Sequence, residues 1–431
     1  MAGLKEKIIK VKNNSVFIKG MLFSLFSFFN KGLNFLLLIV LAKFLTPEDY
    51  GELSLFITLV SLVGYVICLS SEGYAAVSFF KESESDYKGT ISSVFVLPFI
   101  IMLLLCGTVA VLSLYTERLF DLEVSDVYYA IWVSFFTVYL NVCLDYFRVK
   151  ENIFTYGKVS CSYSLLNFIL TLVLIVNFQS GWHGRVFSLL GCSFMYFLFS
   201  LLVFIRDKRL SLAGVSFSTL KKVILWGIPL IPHLASTWIK QGGDRYIIKA
   251  NYDMAEVGIF SFALNLVNII CMIGVAFNSS NSVDIYKSLS NYTSGTLARL
   301  RNYTKQMLWV YAVLSIVVLL VCIPLVLGLL SQYSTALFYF AWMIPYGYLQ
   351  CVYFLYCNYL FYYGENKQIM NVTFFTSIIH LLLSFVLTRY SLYATAMVYS
   401  VTQLLIILSL RIKVTKVLKD KLPDYKVNWT L

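Results

Sequence analysis

Charge is scarce in this chain. Of its 431 residues only 13% are Asp, Glu, Lys or Arg, roughly half the share usual in soluble proteins. Acidic residues are the scarcer kind, 22 against 34 basic ones. The three histidines, His183, His233 and His380, are far apart and show no metal-ligand spacing. Nine cysteines are present, but none forms a CxxC pair and nearly all fall inside apolar runs. They read as small packing residues rather than metal or redox groups. No phosphate-cradling GxxxxGK[ST] loop occurs, which excludes a built-in ATP motor of that kind. No DxD lies in any loop, which weakens metal-dependent glycosyl transfer, and no GxSxG or HExxH signature is visible. These absences argue against an enzyme, and no cofactor is expected.

What is present is apolar. Hydrophobic residues make up 59% of the chain and aromatics 17%, with a mean hydropathy of +0.77. A soluble protein could not keep that much apolar surface out of water, so the composition predicts an all-α polytopic membrane protein. The start, MAGLKEKIIKVKNN, is polar and basic, and the apolar run after it is too long for a signal peptide. Apolar runs near 20 residues recur from 16–42 to 392–411. They predict twelve spans, of which 127–147, 186–205 and 336–362 are the least clean. The joining stretches are too short for a folded soluble domain.

The formal charge of +12 could suggest nucleic acid as a partner. The basic residues instead lie in short patches between apolar runs, which reads as membrane topology and lipid headgroup contact. With a cytoplasmic N-terminus, 26 Lys and Arg fall on inside segments. Four fall outside, at Lys43, Arg118, Arg185 and Arg389. This bias supports an even number of spans and places both termini in the cytoplasm.

Shifting the chain by 207 residues lays PEDYGELSLFITLV (47–60) on MAEVGIFSFALNLV (254–267), Gly20 on Gly227 and Gly51 on Gly258. Ser54, Thr58 and Ser61 fall on Ser261, Asn265 and Asn268, spaced to share one helix face. The repeat is parallel. It predicts two six-helix halves, 1–205 and 223–411, joined by a basic linker at 206–222 and followed by a basic tail at 412–431.

Charges inside hydrocarbon are costly and normally face a cavity or a partner. In the first span, Ser24, Ser27, Asn30, Lys31 and Asn34 share one face. In the seventh, STWIKQGGDRYIIKAN (236–251) holds Lys240, Asp244, Arg245 and Lys249, and His233 lies on the same face as Lys240 and Asp244. Pro229, Pro232, Gly242 and Gly243 predict that this helix is broken, which lipid tolerates only beside a cavity or packed neighbours.

Two stretches carry a resemblance. FSLFSFFNKGLNFLLLIVLAKFLTPEDYGELSLF (23–56) holds the element LxPxxYG. WGIPLIPHLASTWIKQGGDRYIIKANYDMAEVGIFSFALNLVNII (226–270) holds GIPLIPH, DRYII and VGIFS. Both resemble the Wzx-type polysaccharide flippases of the multidrug/oligosaccharidyl-lipid/polysaccharide exporter superfamily. The likeness extends over the twelve-span layout, while its motifs occupy about a fifth of the chain. Asp244–Arg245 matches the family's pair; Lys240 and Lys249 depart from its pattern. The resemblance implies translocation of an undecaprenyl-diphosphate-linked oligosaccharide, such as an O-antigen unit, across a bacterial inner membrane. Membrane lipids and the polysaccharide polymerase and chain-length machinery would be partners. Residues expected to line a cationic cavity and bind substrate are Lys31, Lys240, Arg245, Asn30, Asn34 and Lys249, with Asp244 and His233 in ion coupling or gating. Two other classes share features: a multidrug or metabolite antiporter of the same superfamily, and a membrane-embedded glycan polymerase or ligase. The second generally carries a large periplasmic loop, and none is seen.

Overall fold

The structure, a computed structural model, describes residues 15–211, 214–293 and 295–422. Lys5, Lys7, Lys10, Lys12 and Lys426, counted above toward the inside charge, lie outside them. Among the described residues there is no strand. The first six helices are α1 (Ser15–Phe44), α2 (Pro47–Cys68), α3 (Ser71–Lys81), α4 (Glu84–Val111), α5 (Ser113–Phe120) and α6 (Val124–Val149). Then follow α7 (Ile153–Leu172), α8 (His183–Arg206), α9 (Phe217–Gly227), α10 (Ile231–Trp238) and α11 (Asp244–Lys249). The last five are α12 (Met254–Ser290), α13 (Thr296–Leu329), α14 (Ala336–Tyr362), α15 (Asn366–Leu387) and α16 (Leu392–Lys421).

Short polar stretches start these helices. Thr46 accepts a hydrogen bond from the Asp49 N–H at 3.2 Å, with Pro47 in the first turn, where its missing donor costs nothing. Ser83, Asn152 and Asp253 cap α4, α7 and α12 in the same way. Among the described residues, ten helices are long and apolar enough to cross a membrane. The expected spans 223–249 and 336–362 are not among these ten, although both are helical. The first is divided into short pieces, and the second carries a run of tyrosines that lowers its hydropathy. Residues 206–222, expected as a linker, contain the first turns of α9.

The outward faces are apolar and the contacts between helices carry small hydroxyls, the pattern expected in lipid. Leu104, Leu320, Val321 and Leu382 are exposed, whereas Thr171, Ser188, Ser193, Ser377 and Thr395 are fully buried. Hydrophobic burial between helices brings no gain over lipid, so close packing and hydrogen bonds hold them. Thr171 to Ser188 at 2.8 Å and Thr388 to Thr395 at 2.9 Å are examples.

Two compact units are present. One comprises residues up to Phe44 with Leu55–Ile231; the other comprises Leu45–Ser54 with Pro232–Leu431. The first turns of α2 therefore belong to the second unit, where they lie against the start of α12. The repeat shows itself there. A Cβ on Gly51 would stand 2.2 Å from the Met254 carbonyl oxygen, and one on Gly258 would stand 1.9 Å from the Pro47 carbonyl oxygen. Pro47 and Met254 are 207 residues apart, as are the two glycines. Each helix thus offers the other its glycine at an equivalent point, and only the absence of Cβ permits the approach.

In the first unit, Asp207 at the end of α8 accepts from Lys150 Nζ at 2.9 Å and from the Tyr146 hydroxyl at 2.7 Å. The hydrogen bond from Lys150 holds its carboxyl below the usual aspartate range. A depressed folded pKa gives stability that is present above the unfolded value, about 3.9, and is lost as the pH falls through the lower folded one. Asp207→Asn is expected to cost at most about 1 kcal/mol at neutral pH, because the pair is partly exposed. That cost should fall away at acid pH, as the carboxyl becomes protonated in the folded state as well. Thermal unfolding of both proteins at neutral and acid pH checks this.

Candidate functional site

The segment 217–249 never stops winding. Pro229 and Pro232 leave a 3-10 turn at Ile228–Leu230, and Ile239–Gly243 form a π turn. The helix is thus widened at Gly242–Gly243 rather than broken, as the sequence had suggested. The reason is physical: glycine weakens an α-helix without forbidding a helical backbone, and π turns commonly sit at functional sites. Lys240 and Asp244 lie on and just after this turn and make no ion pair with each other.

Asp244 turns to α15. Its Oδ2 lies 2.9 Å from His380 Nε2, and each side chain is 1% exposed. His380 Nδ1 lies 3.0 Å from Thr402 Oγ1, which donates to the Val398 carbonyl at 2.8 Å. His380 thus bridges Asp244 and Thr402, and which ring nitrogen donates follows the imidazole tautomer. The Tyr399 ring stands edge-on to His380 with centroids 4.8 Å apart. Asp244 Oδ1 has no hydrogen-bond partner. Next to Asp244, Arg245 donates from Nε to Ser261 Oγ at 2.9 Å, and Asn265, one turn beyond Ser261 on α12, donates to the Tyr50 hydroxyl at 2.9 Å. The polar stripe of the repeat on α12 therefore receives Arg245.

On the other side of the π turn the second unit forms a partly open polar cavity of about 120 Å³. His233, Ser236, Thr237 and Lys240 bring the predicted stripe to its wall. Tyr346, Gln350 and Tyr353 of α14, Thr373 of α15 and Gln403 of α16 complete the polar part. His233 is exposed, whereas Lys240 is half-buried. The structure thus brings His233 and Lys240 together at one cavity and assigns Asp244 to a separate buried pair. Lys249 ends α11 and is partly buried.

In the first unit, Lys31 and Asn30 of α1 are half-buried and Asn34 is exposed. Asn30 Oδ1 is buried without a partner. Among the described residues no carboxylate lies within ion-pair distance of Lys31 or of Lys240. Arg185, counted above as an outside residue, instead turns inward from the first turn of α8 to Asn167 and Thr171 of α7. Nearby, His183 Nε2 meets the buried Asp126 at 3.1 Å. His380, Arg185 and the α14 residues escaped sequence reading, because their partners lie far off along the chain. The signal available was one of cost alone: an ionisable residue in an apolar run needs a partner somewhere.

Each unit is all-helical, with exposed apolar faces and polar groups buried between its helices, as in a multi-pass membrane protein. Solved structures share the fold. An inward-facing multidrug-resistance transporter of the MATE family, MOP superfamily, matches with a TM-score of 0.73, at 14% identity over 91% of this chain and 96% of its own. The lipid II flippase MurJ in an inward closed conformation also gives 0.73 at 14% identity, over 91% of this chain and 87% of its own. Residues 17–282 match the family described as polysaccharide biosynthesis protein, and the chain belongs to that family. A protein of the Lsg locus of Haemophilus influenzae is 25% identical over 363 residues, 80% of this chain and 84% of its own. The resemblance to Wzx-type flippases is borne out by family and fold together.

Proposed function

We propose that the protein moves an undecaprenyl-diphosphate-linked oligosaccharide from the cytoplasmic to the periplasmic leaflet of a bacterial inner membrane. The observation that carries this reading is Lys31, half-buried on α1 with no carboxylate within ion-pair distance among the described residues. An ammonium in that setting is costly unless an anion comes to it. The proposed substrate brings one, together with a polyhydroxyl head that suits the serines, threonines and amides, and a lipid tail that stays in the bilayer. Arg245 supports the same anionic head from its place on Ser261.

Transport follows alternating access of the two units. The cell interior is negative, so outward passage of a diphosphate is favoured by about 2.3 kcal/mol per charge per 100 mV. The Asp244–His380 pair is the ion-coupling element of this reading, with a proton as the proposed ion. The MurJ likeness supports lipid-linked cargo, and the polysaccharide family supports a sugar head. The MATE likeness supports the antiporter alternative equally on fold, but a drug cation would be repelled by such a lysine.

Single Lys31→Ala and Arg245→Ala variants, expressed in cells lacking the native flippase, are expected to lower surface glycan about tenfold or more at unchanged protein level, one lost charge contact with the substrate being about 1.4 kcal/mol or more. Normal glycan with both variants would remove the cationic attraction from the reading.

A further inference from the structure

The cavity beside Lys240 carries more information than its charge. Its wall is cationic without compensation: no lining residue is acidic, and Asp244, one turn away, is engaged by His380. The wall also holds an unused donor. Gln403 is 2% exposed, and its Nε2 has no hydrogen-bond partner. A buried amide left unpaired costs about 1–3 kcal/mol, so the site favours a ligand that supplies an acceptor. The remaining polar wall is neutral, with the Gln350 amide and the hydroxyls of Tyr353 and Thr373. All these groups sit near the middle of their helices.

Size and charge narrow the ligand. The cavity is small, about 120 Å³, and partly open, so it takes the substituted edge of one sugar ring while the rest of the head group lies outside it. A diphosphate would call for several cations or for the fork of an arginine. This cavity offers one ammonium, a point charge, among neutral hydroxyls and amides. That set matches a single carboxylate on a polyhydroxyl ring.

We propose that this cavity is a subsite for an acidic sugar of the carried head group, a hexuronate or similar carboxylated pyranose. Lys240 pairs with the carboxylate, and Gln403 and Gln350 take ring or carboxylate oxygens. The proposal rests on the lipid-linked-sugar reading above and adds the class of sugar.

The test uses the full chain reconstituted in vesicles with two fluorescent polyprenyl-diphosphate disaccharides, identical except that one ends in glucose and the other in glucuronate. Wild-type protein is expected to flip the glucuronate head. Lys240→Met should slow that head about tenfold, the weight of one lost charge pair, and leave the glucose head within about twofold. Gln403→Leu should slow the same head in the same selective way. Equal slowing of both heads by Lys240→Met would assign Lys240 to the shared diphosphate and overturn the proposal, while flipping itself stands. No slowing of either head would overturn it as well. Flipping of neither head by wild-type protein would remove the underlying reading, and the proposal with it. A second readout needs no variant to transport. Free glucuronate should raise the unfolding temperature of wild-type protein and not that of Lys240→Met, and glucose should raise neither. Equal effects of the two sugars on wild-type protein would contradict the proposal.

Discussion

Alanine at Gly51 or Gly258 is expected to disrupt the second unit more than any other glycine replacement among its helices. A new Cβ would stand 2.2 Å from the Met254 carbonyl oxygen in one case and 1.9 Å from the Pro47 carbonyl oxygen in the other. Both obstacles are backbone, so no side chain can rotate away. One of the two helices must move off the other, and overpacking of this kind costs about 1–3 kcal/mol. At roughly 2–4 °C per kcal/mol, each variant should melt several degrees lower in detergent. Gly328 is the control. It lies in α13 with nothing within 4 Å of an added Cβ, so alanine there should be neutral or slightly stabilising, by about 0.5–1 kcal/mol. Equal melting of Gly258→Ala and Gly328→Ala would show that the close approach does not exist. Because the two glycines are partners in one crossing, the double variant should cost clearly less than the sum of the singles.

The second large effect belongs to Asp244 and His380. The pair is buried on both sides, so removing one member leaves the other without its proton partner. Breaking a buried pair costs about 3–5 kcal/mol. His380→Ala and Asp244→Ala are each expected to reduce surface glycan severely and to lower protein level. The double variant Asp244→Ala with His380→Ala should be better folded than either single one, because no lone ionisable group remains. If coupling runs through the pair, the double variant should nevertheless stay inactive while its level recovers. Recovered transport in the double variant would make the pair structural. Full additivity of the two singles in stability would contradict the contact itself. Arg245, Tyr246 and Tyr399 face the same region, so each serves as a check that the effect belongs to the pair.

Much of this was legible in the sequence, because lipid makes simple demands. Runs of twenty apolar residues must be helices. The repeat was visible in Gly51 and Gly258, whose role depends on having no side chain and therefore tolerates little drift. The helical path of 217–249 was harder: prolines and paired glycines weaken a helix in any reading, and only the packed structure decides between a break and a π turn. His380 was unreadable for a different reason. On IIHLLLSFVL it is an isolated polar residue, and its partner lies 136 positions away. Gln403 and the tyrosines of α14 look like ordinary members of aromatic helices until four helices close on one cavity. Arg185 shows what a charge count leaves out: counting by loop assigns a side of the membrane, not the direction of the guanidinium, which points at Asn167 and Thr171. Position along the chain sets a residue's depth in the membrane, but not its direction.

The most direct measurement is the rate at which the reconstituted full-length protein moves a fluorescent undecaprenyl-diphosphate oligosaccharide between vesicle leaflets, read by chemical quenching of the outer leaflet. The account predicts rapid exchange with protein present, slow exchange in empty vesicles, and loss of most of the increment in Lys31→Ala. Exchange no faster than in empty vesicles, from protein that is folded and drives the efflux of organic cations instead, would contradict it.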